Sequence, residues 1–207
     1  TSSDVALYKA KQGGRSMLAI FDHMDLENIR ASKRLSEDII RGIEESEFIP
    51  FYQPQVDAKK REFVGFEVLA RWQHPTRGIL PPGEFLDAAN EMQVTRQIDE
   101  MIFRKSLHEC RDGFAGMQSM PFVAFNVSIQ RLMDSRLDVD LDEIKYPGPI
   151  SFELVETDFV DHDSHEFLAR INTLRGYGAT FEIDDFGSGR ASLVGLRQID
   201  ADRIKID

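Results

Sequence analysis

The stretch Phe181-Glu182-Ile183-Asp184-Asp185-Phe186-Gly187-Ser188-Gly189 constrains this chain more than any other. It reads as a buried strand that runs into two adjacent aspartates and then a loop hinged on glycines. Neighbouring carboxylates repel each other, and burying them is costly unless cations lie between them. Oxygen-only donors of this kind suit hard divalent ions such as Mg²⁺ or Mn²⁺. The stretch therefore predicts a metal site at the end of a strand, with its other ligands drawn from elsewhere in the chain.

The pattern along the chain shows where they come from. Residues 1–25 carry a short helical run, Asp4 to Lys11, closed by Gly13-Gly14, which reads as the tail of a domain lying upstream. Between Leu26 and Glu47, Leu35, Ile39 and Ile43 fall on one helical face, predicting a helix packed on the next domain or relaying signals to it. After Pro50, strands alternate with helices. Strands at 51–56 and 63–69 flank the polar turn Asp57-Ala58-Lys59-Lys60, a connection short enough only for an antiparallel pair. Helices are expected from Phe85 to Glu91 and from Ile98 to Cys110. A strand at 122–127 is followed by a loop-rich segment. A strand at 150–155 leads to a helix bearing Phe167, Leu168, Ile171 and Leu174, which ends at Gly176 and Gly178. After the aspartate strand come a short helix around Leu193 to Leu196 and a strand at 203–206. Such alternation predicts an α/β fold, a mostly parallel sheet covered by helices.

Five of these strands place a polar residue between or beside large apolar ones: Glu67, Asn126, Glu153, Asp184 and Lys205. Side chains alternate faces along a strand, so the apolar residues turn towards helices and these five turn the other way. In an open antiparallel sheet the polar face would simply be wet. Closed towards a barrel, the same face converges on one axis, and chemistry belongs at the C-terminal strand ends, where these five fall. Three carboxylates, an amide oxygen and a lysine suit an oxygen-rich metal cage better than a core.

Composition narrows the partners. A net charge of -11 excludes a general surface for nucleic-acid polymers, which needs a basic footprint. Cys110 is the single cysteine, so no disulfide framework is expected and a reducing cytoplasm fits. No run of about 18 apolar residues and no signal-peptide pattern occurs, so a soluble chain without a membrane segment is expected. Cys110 itself reads as core filler, His74 as structural or near the substrate. Asp161-His162-Asp163-Ser164-His165 reads as a polar loop capping the next helix rather than a transition-metal site.

Taken together, Glu67-Val68-Leu69, Asn126-Val127-Ser128, Glu153-Leu154-Val155-Glu156, Asp184 to Gly189 and Lys205-Ile206-Asp207 resemble, in order, the motifs of EAL-domain phosphodiesterases. Tyr52-Gln53-Pro54 and Arg71-Trp72-Gln73-His74-Pro75 are similar to that family's opening segments. Asp4 to Lys11 with Gly14-Arg15 resembles the last helix and strand of a GGDEF diguanylate cyclase domain. The resemblance implies a TIM-like (β/α)8 barrel with an antiparallel first strand, of which about six strands are written here. Three segments follow from it: a GGDEF-like tail at 1–25, a linker helix at 26–47 and a phosphodiesterase domain at 48–207. It implies hydrolysis of cyclic di-GMP to linear pGpG by two ions, Mg²⁺ or Mn²⁺, or, alternatively, a non-catalytic cyclic di-GMP receptor. Glu67, Asn126, Glu153 and Asp184 would hold one ion, and Asp184 and Asp185 the second. Lys205 would orient water or steady the phosphate, Arg71 would grip a phosphate and Gln53 would contact the nucleotide. Glu156 would brace the loop from Phe186 to Arg190. A homodimer joined to an upstream GGDEF or sensor domain is expected.

Some positions depart from the family pattern. Val68 stands for the usual Ala, Val155 for a Thr, and Arg190-Ala191-Ser192 for an aromatic followed by serines. The glutamate the family supplies to its second metal from a later strand has no counterpart before Asp207, so the catalytic set in these residues is expected to be partial.

Overall fold

The structure is a computed structural model that describes residues 23–117, 119–155, 165–186 and 200–206, with the backbone alone for residues 23–25, 185 and 186. A long helix, α1 (His23–Glu44), leads into β1 (Phe48–Asp57) and β2 (Glu62–His74), which pair antiparallel as expected. Asp57 makes the turn between them: its Oδ1 accepts the backbone N–H groups of Lys59 and Lys60, both at 2.8 Å. Both strands are longer than the sequence pattern predicted, and β3 (Gly78–Leu80) folds back onto the end of β2. The His74 Nδ1 shapes that return by accepting the N–H groups of Thr76 (3.2 Å) and Arg77 (3.3 Å).

A 3₁₀ turn (Pro82–Glu84) precedes α2 (Leu86–Glu91) and α3 (Thr95–Gly113). Then come β4 (Phe122–Asn126), α4 (Ile129–Leu132), α5 (Arg136–Ile144), β5 (Ile150–Val155), α6 (His165–Gly176), β6 (Thr180–Phe186) and β7 (Arg203–Ile206). The sheet order is β1-β2-β4-β5-β6-β7, and every pairing from β2 onward along this path is parallel.

The expected loop-rich segment after β4 instead contains two helices. Ser128 starts the first, its Oγ accepting the Arg131 N–H at 3.2 Å. Ion pairs fix the second: Arg131 and Arg104 both bind Asp140, and Arg170 of α6 reaches Asp138 at 2.7 Å. These contacts join residues far apart in sequence, so local pattern could not show them. The helix expected around Leu193, residues 1–22 and the Asp161–Ser164 run lie outside the described residues.

The core sits between the sheet and its helices. Val68, Phe125, Phe152 and Phe181 occupy one register row across four strands, each 2% exposed or less. Phe103 of α3 packs on this row at 4.7 Å from the Phe125 ring, beside the buried Ile98, Ile102, Leu107 and Cys110. The aromatic residues flanking the acids are thus sheet-to-helix packing, as the alternation predicted, and Cys110 is core. Gly65 faces the Phe122 carbonyl so closely that a Cβ would lie 2.0 Å from its oxygen, which sets how near β2 and β4 approach. The α1 helix docks through fully buried Ile39, flanked by partly buried Leu35 and Ile43. Glu47 secures its end, Oε2 accepting Trp72 Nε1 at 2.9 Å and Arg41 Nη2 at 3.3 Å. His74 points the same way as Trp72, its Nε2 3.6 Å from Asp38. Its role is structural, on the face turned away from the acids.

Candidate metal centre

Register determines which side chains meet. On the face opposite the aromatic row, Glu67 pairs with Ala124, Asn126 with Glu153, Glu153 with Glu182 and Val155 with Asp184. Four neighbouring strands therefore deliver Glu67, Asn126, Glu153 and Asp184 to one region, and β7 adds Lys205. One oxygen from each of Glu67, Glu153 and Asp184 lies within 4.8 Å of the others. Asn126 donates its amide N–H to Glu67 Oε1 at 3.1 Å, which leaves its carbonyl oxygen as the remaining acceptor. The Lys205 ammonium stands among the acids, 2.6 Å from Glu153, 3.0 Å from Glu67 and 3.9 Å from Asp184.

Glu153 is the strained member. Its side chain is fully buried, Oε1 has no hydrogen-bond partner among the described residues, and the cation beside Oε2 is Lys205. Burial pushes its carboxyl up to about 8; Lys205 opposes the shift, and the charges of Glu67 and Glu182 add to it. A buried acceptor without a donor, within reach of two more carboxylates, fits a hard divalent cation, which would favour the ionised form of Glu153. The Lys205 ammonium, its own pKa raised by Glu153 and Glu67 against the desolvation that lowers it, supplies part of that positive charge.

The other expected residues fall as follows. Gln53 is exposed and directly opposite Glu67 across the β1–β2 ladder. Arg71 lies on the same face, its Nη1 donating to the Ala70 carbonyl at 2.7 Å. Asp185 belongs to β6, but its side chain, Glu156 and the loop from Gly187 to Arg190 lie outside the described residues.

Two residues carry no role in the sequence reading yet share this face. Phe51 is 43% exposed, and the Arg71 guanidinium carbon lies 5.6 Å from its ring centre. It offers a flat apolar surface beside a cation, and its position two residues before Gln53 on a strand is the signal that could have found it. Glu182 is buried, pairs with Arg203 at 3.1 Å and sits in register with Glu153. Its spacing of two from Asp184 places it on the acid face.

The "Bifunctional diguanylate cyclase/cyclic di-GMP phosphodiesterase MucR" of Pseudomonas aeruginosa is 29% identical over all of this chain, which spans 31% of MucR. The chain spans between about a quarter and a third of the length of the curated relatives it matches. A solved MucR structure described as a phosphodiesterase in complex with c-di-GMP aligns with a TM-score of 0.73 at 27% identity, covering 84% of this chain and 72% of that one. The Bacillus subtilis YkuI protein, solved with c-di-GMP and calcium, aligns with a TM-score of 0.66 at 25% identity, covering 83% of this chain and 43% of that one. These neighbours share a TIM-like α/β barrel, and the parallel sheet with an antiparallel first strand seen here is that fold. A family model described as the EAL domain matches residues 33–207, and with the acids of three strands brought to one face, the chain belongs to the EAL domain family.

Proposed function

We propose that this domain hydrolyses cyclic di-GMP to linear pGpG with Mg²⁺ or Mn²⁺ held at the acid cluster. The observation that carries the reading is Glu153, fully buried and facing two further carboxylates, a pairing that a bound dication would stabilise. Relatives named as cyclic di-GMP phosphodiesterases and structures solved with that nucleotide support the substrate. Glu67, Asn126, Glu153 and Asp184 would hold one ion, and Asp184 with Asp185 a second. When bound, the ions would supply Lewis-acid polarisation and neutralise charge on the phosphodiester.

The chain's own residues do the rest. Phe51 stacks on a guanine face and Arg71 pairs with a phosphate, anchored by its bond to the Ala70 carbonyl. Gln53, exposed beside them, meets the nucleotide edge. Lys205 acts as a point charge on the reacting phosphate once a dication takes over its pairing with Glu153. Glu156 would brace the loop after Asp185. The same reading assigns residues 1–25 to the end of an upstream cyclase-like domain, 26–47 to the connecting helix and 48–207 to the phosphodiesterase domain, in a cytoplasmic homodimer. MucR, which matches along the whole chain, is named for both activities.

The test incubates the intact protein with cyclic di-GMP and Mn²⁺ and follows pGpG by chromatography. Turnover that stops on chelation and in Asp184→Asn is expected. Tight nucleotide binding without cleavage would overturn the enzyme reading in favour of a receptor.

A further inference from the structure

Asp99, on α3, lies outside the acid cluster, yet it grips the turn that ends β4. Its Oδ2 accepts the Ser128 backbone N–H at 3.0 Å. Ser128 is two residues beyond Asn126. The intervening Val127 donates its N–H to the carbonyl of Glu153 at 3.3 Å. The turn is thus pinned on one side to a strand bearing a buried acid and on the other to Asp99. Behind Asp99 stands Arg131, completely buried, whose Nε and Nη1 have no hydrogen-bond partner among the described residues. Its field favours the ionised Asp99 against the burial that opposes it. Arg131 is held in turn by Asp140, which Arg104 also binds.

We propose that Asp99 is a positioning residue for the metal site: by holding the Ser128 N–H it fixes the β4–α4 turn and so the direction in which Asn126 is presented to Glu67. The inference rests on the metal reading above. Residues that orient metal ligands without touching the ion typically change metal affinity by about 10–100-fold when removed. Asn at position 99 keeps an acceptor for the Ser128 N–H but loses the charge facing Arg131, whereas Ala loses both.

The test titrates the intact protein with Mn²⁺ alone, reading free Mn²⁺ by electron paramagnetic resonance, and measures Tm without metal. Wild type, Asp99→Asn, Asp99→Ala, Arg104→Ala and Asp184→Asn are compared. The expected result is a Kd weakened about 10–100-fold in Asp99→Ala and within about threefold of wild type in Asp99→Asn. Arg104→Ala should lower Tm and leave Kd unchanged. A wild-type Kd in Asp99→Ala overturns the proposal, and so does a Kd that follows Tm across Asp99→Asn, Asp99→Ala and Arg104→Ala. Unaltered Mn²⁺ binding in Asp184→Asn overturns the metal reading itself, and this inference with it.

Discussion

Replacing Lys205 with Met separates the lysine's charge from its bulk. Its ammonium lies 2.6 Å from Glu153 and 3.0 Å from Glu67. At an effective dielectric near 20, those attractions are about 6 and 5.5 kcal/mol, and each carboxylate pair within 4.8 Å repels by about 3.5 kcal/mol. These terms are upper bounds and do not add, because Glu153, its carboxyl pushed up to about 8 even beside Lys205, is only partly ionised at neutral pH. Breaking a buried pair by removing one partner costs about 3–5 kcal/mol, and the 26% exposure of the Lys205 side chain reduces that to about 2–3 kcal/mol. For a domain of this size the change lowers Tm by roughly 5–10 °C. Thermal unfolding in chelator, repeated with Mn²⁺ at about 100 times Kd, is the assay; the ion should return about 2.7 kcal/mol to the variant. Unchanged metal-free stability, or Mn²⁺ that stabilises wild type and not Lys205→Met, would refute the reasoning.

The metal-free protein should lose stability as pH rises from about 4.5 to about 8. Folding raises the Glu153 pKa, so the folded state binds more protons in that window and its advantage fades as they leave; Glu153→Gln should flatten the dependence in denaturant melts. Gly65→Ala forces a Cβ to within 2.0 Å of the Phe122 oxygen and should cost more than about 3 kcal/mol or abolish folding, read by circular dichroism. Phe152→Ala removes a ring packed 5.9 Å from Phe181 and 6.0 Å from Phe103, and should cost about 3–5 kcal/mol in urea unfolding. Trp72→Phe leaves the Glu47 carboxylate without its indole donor and should cost about 1–3 kcal/mol.

Strand alternation made the acid face readable before any coordinates. Once Phe66, Phe125, Phe152 and Ile183 are assigned to the helix side, Glu67, Asn126, Glu153 and Asp184 must share the other. The antiparallel start was equally legible, because a turn built on Asp57 leaves no room for a crossover. Register was not legible from spacing. It is register that aligns Glu153 with Glu182 and sets Gln53 opposite Glu67. Phe51 escaped notice because an aromatic residue on a strand ordinarily signals core, and its 43% exposure is a property of the folded edge. The helices after β4 were missed for a related reason. They depend on Arg131, Arg104 and Arg170 meeting acids of α5, contacts closed by tertiary folding and invisible to a local pattern.

The most direct test of the metal site is a crystal soaked in Mn²⁺ and measured at the manganese edge. The account predicts an anomalous peak bounded by Glu67, Asn126, Glu153 and Asp184, with the Lys205 ammonium moved away from its 2.6 Å contact with Glu153. A map without a peak there, with Lys205 still paired to Glu153 at saturating Mn²⁺, would contradict it.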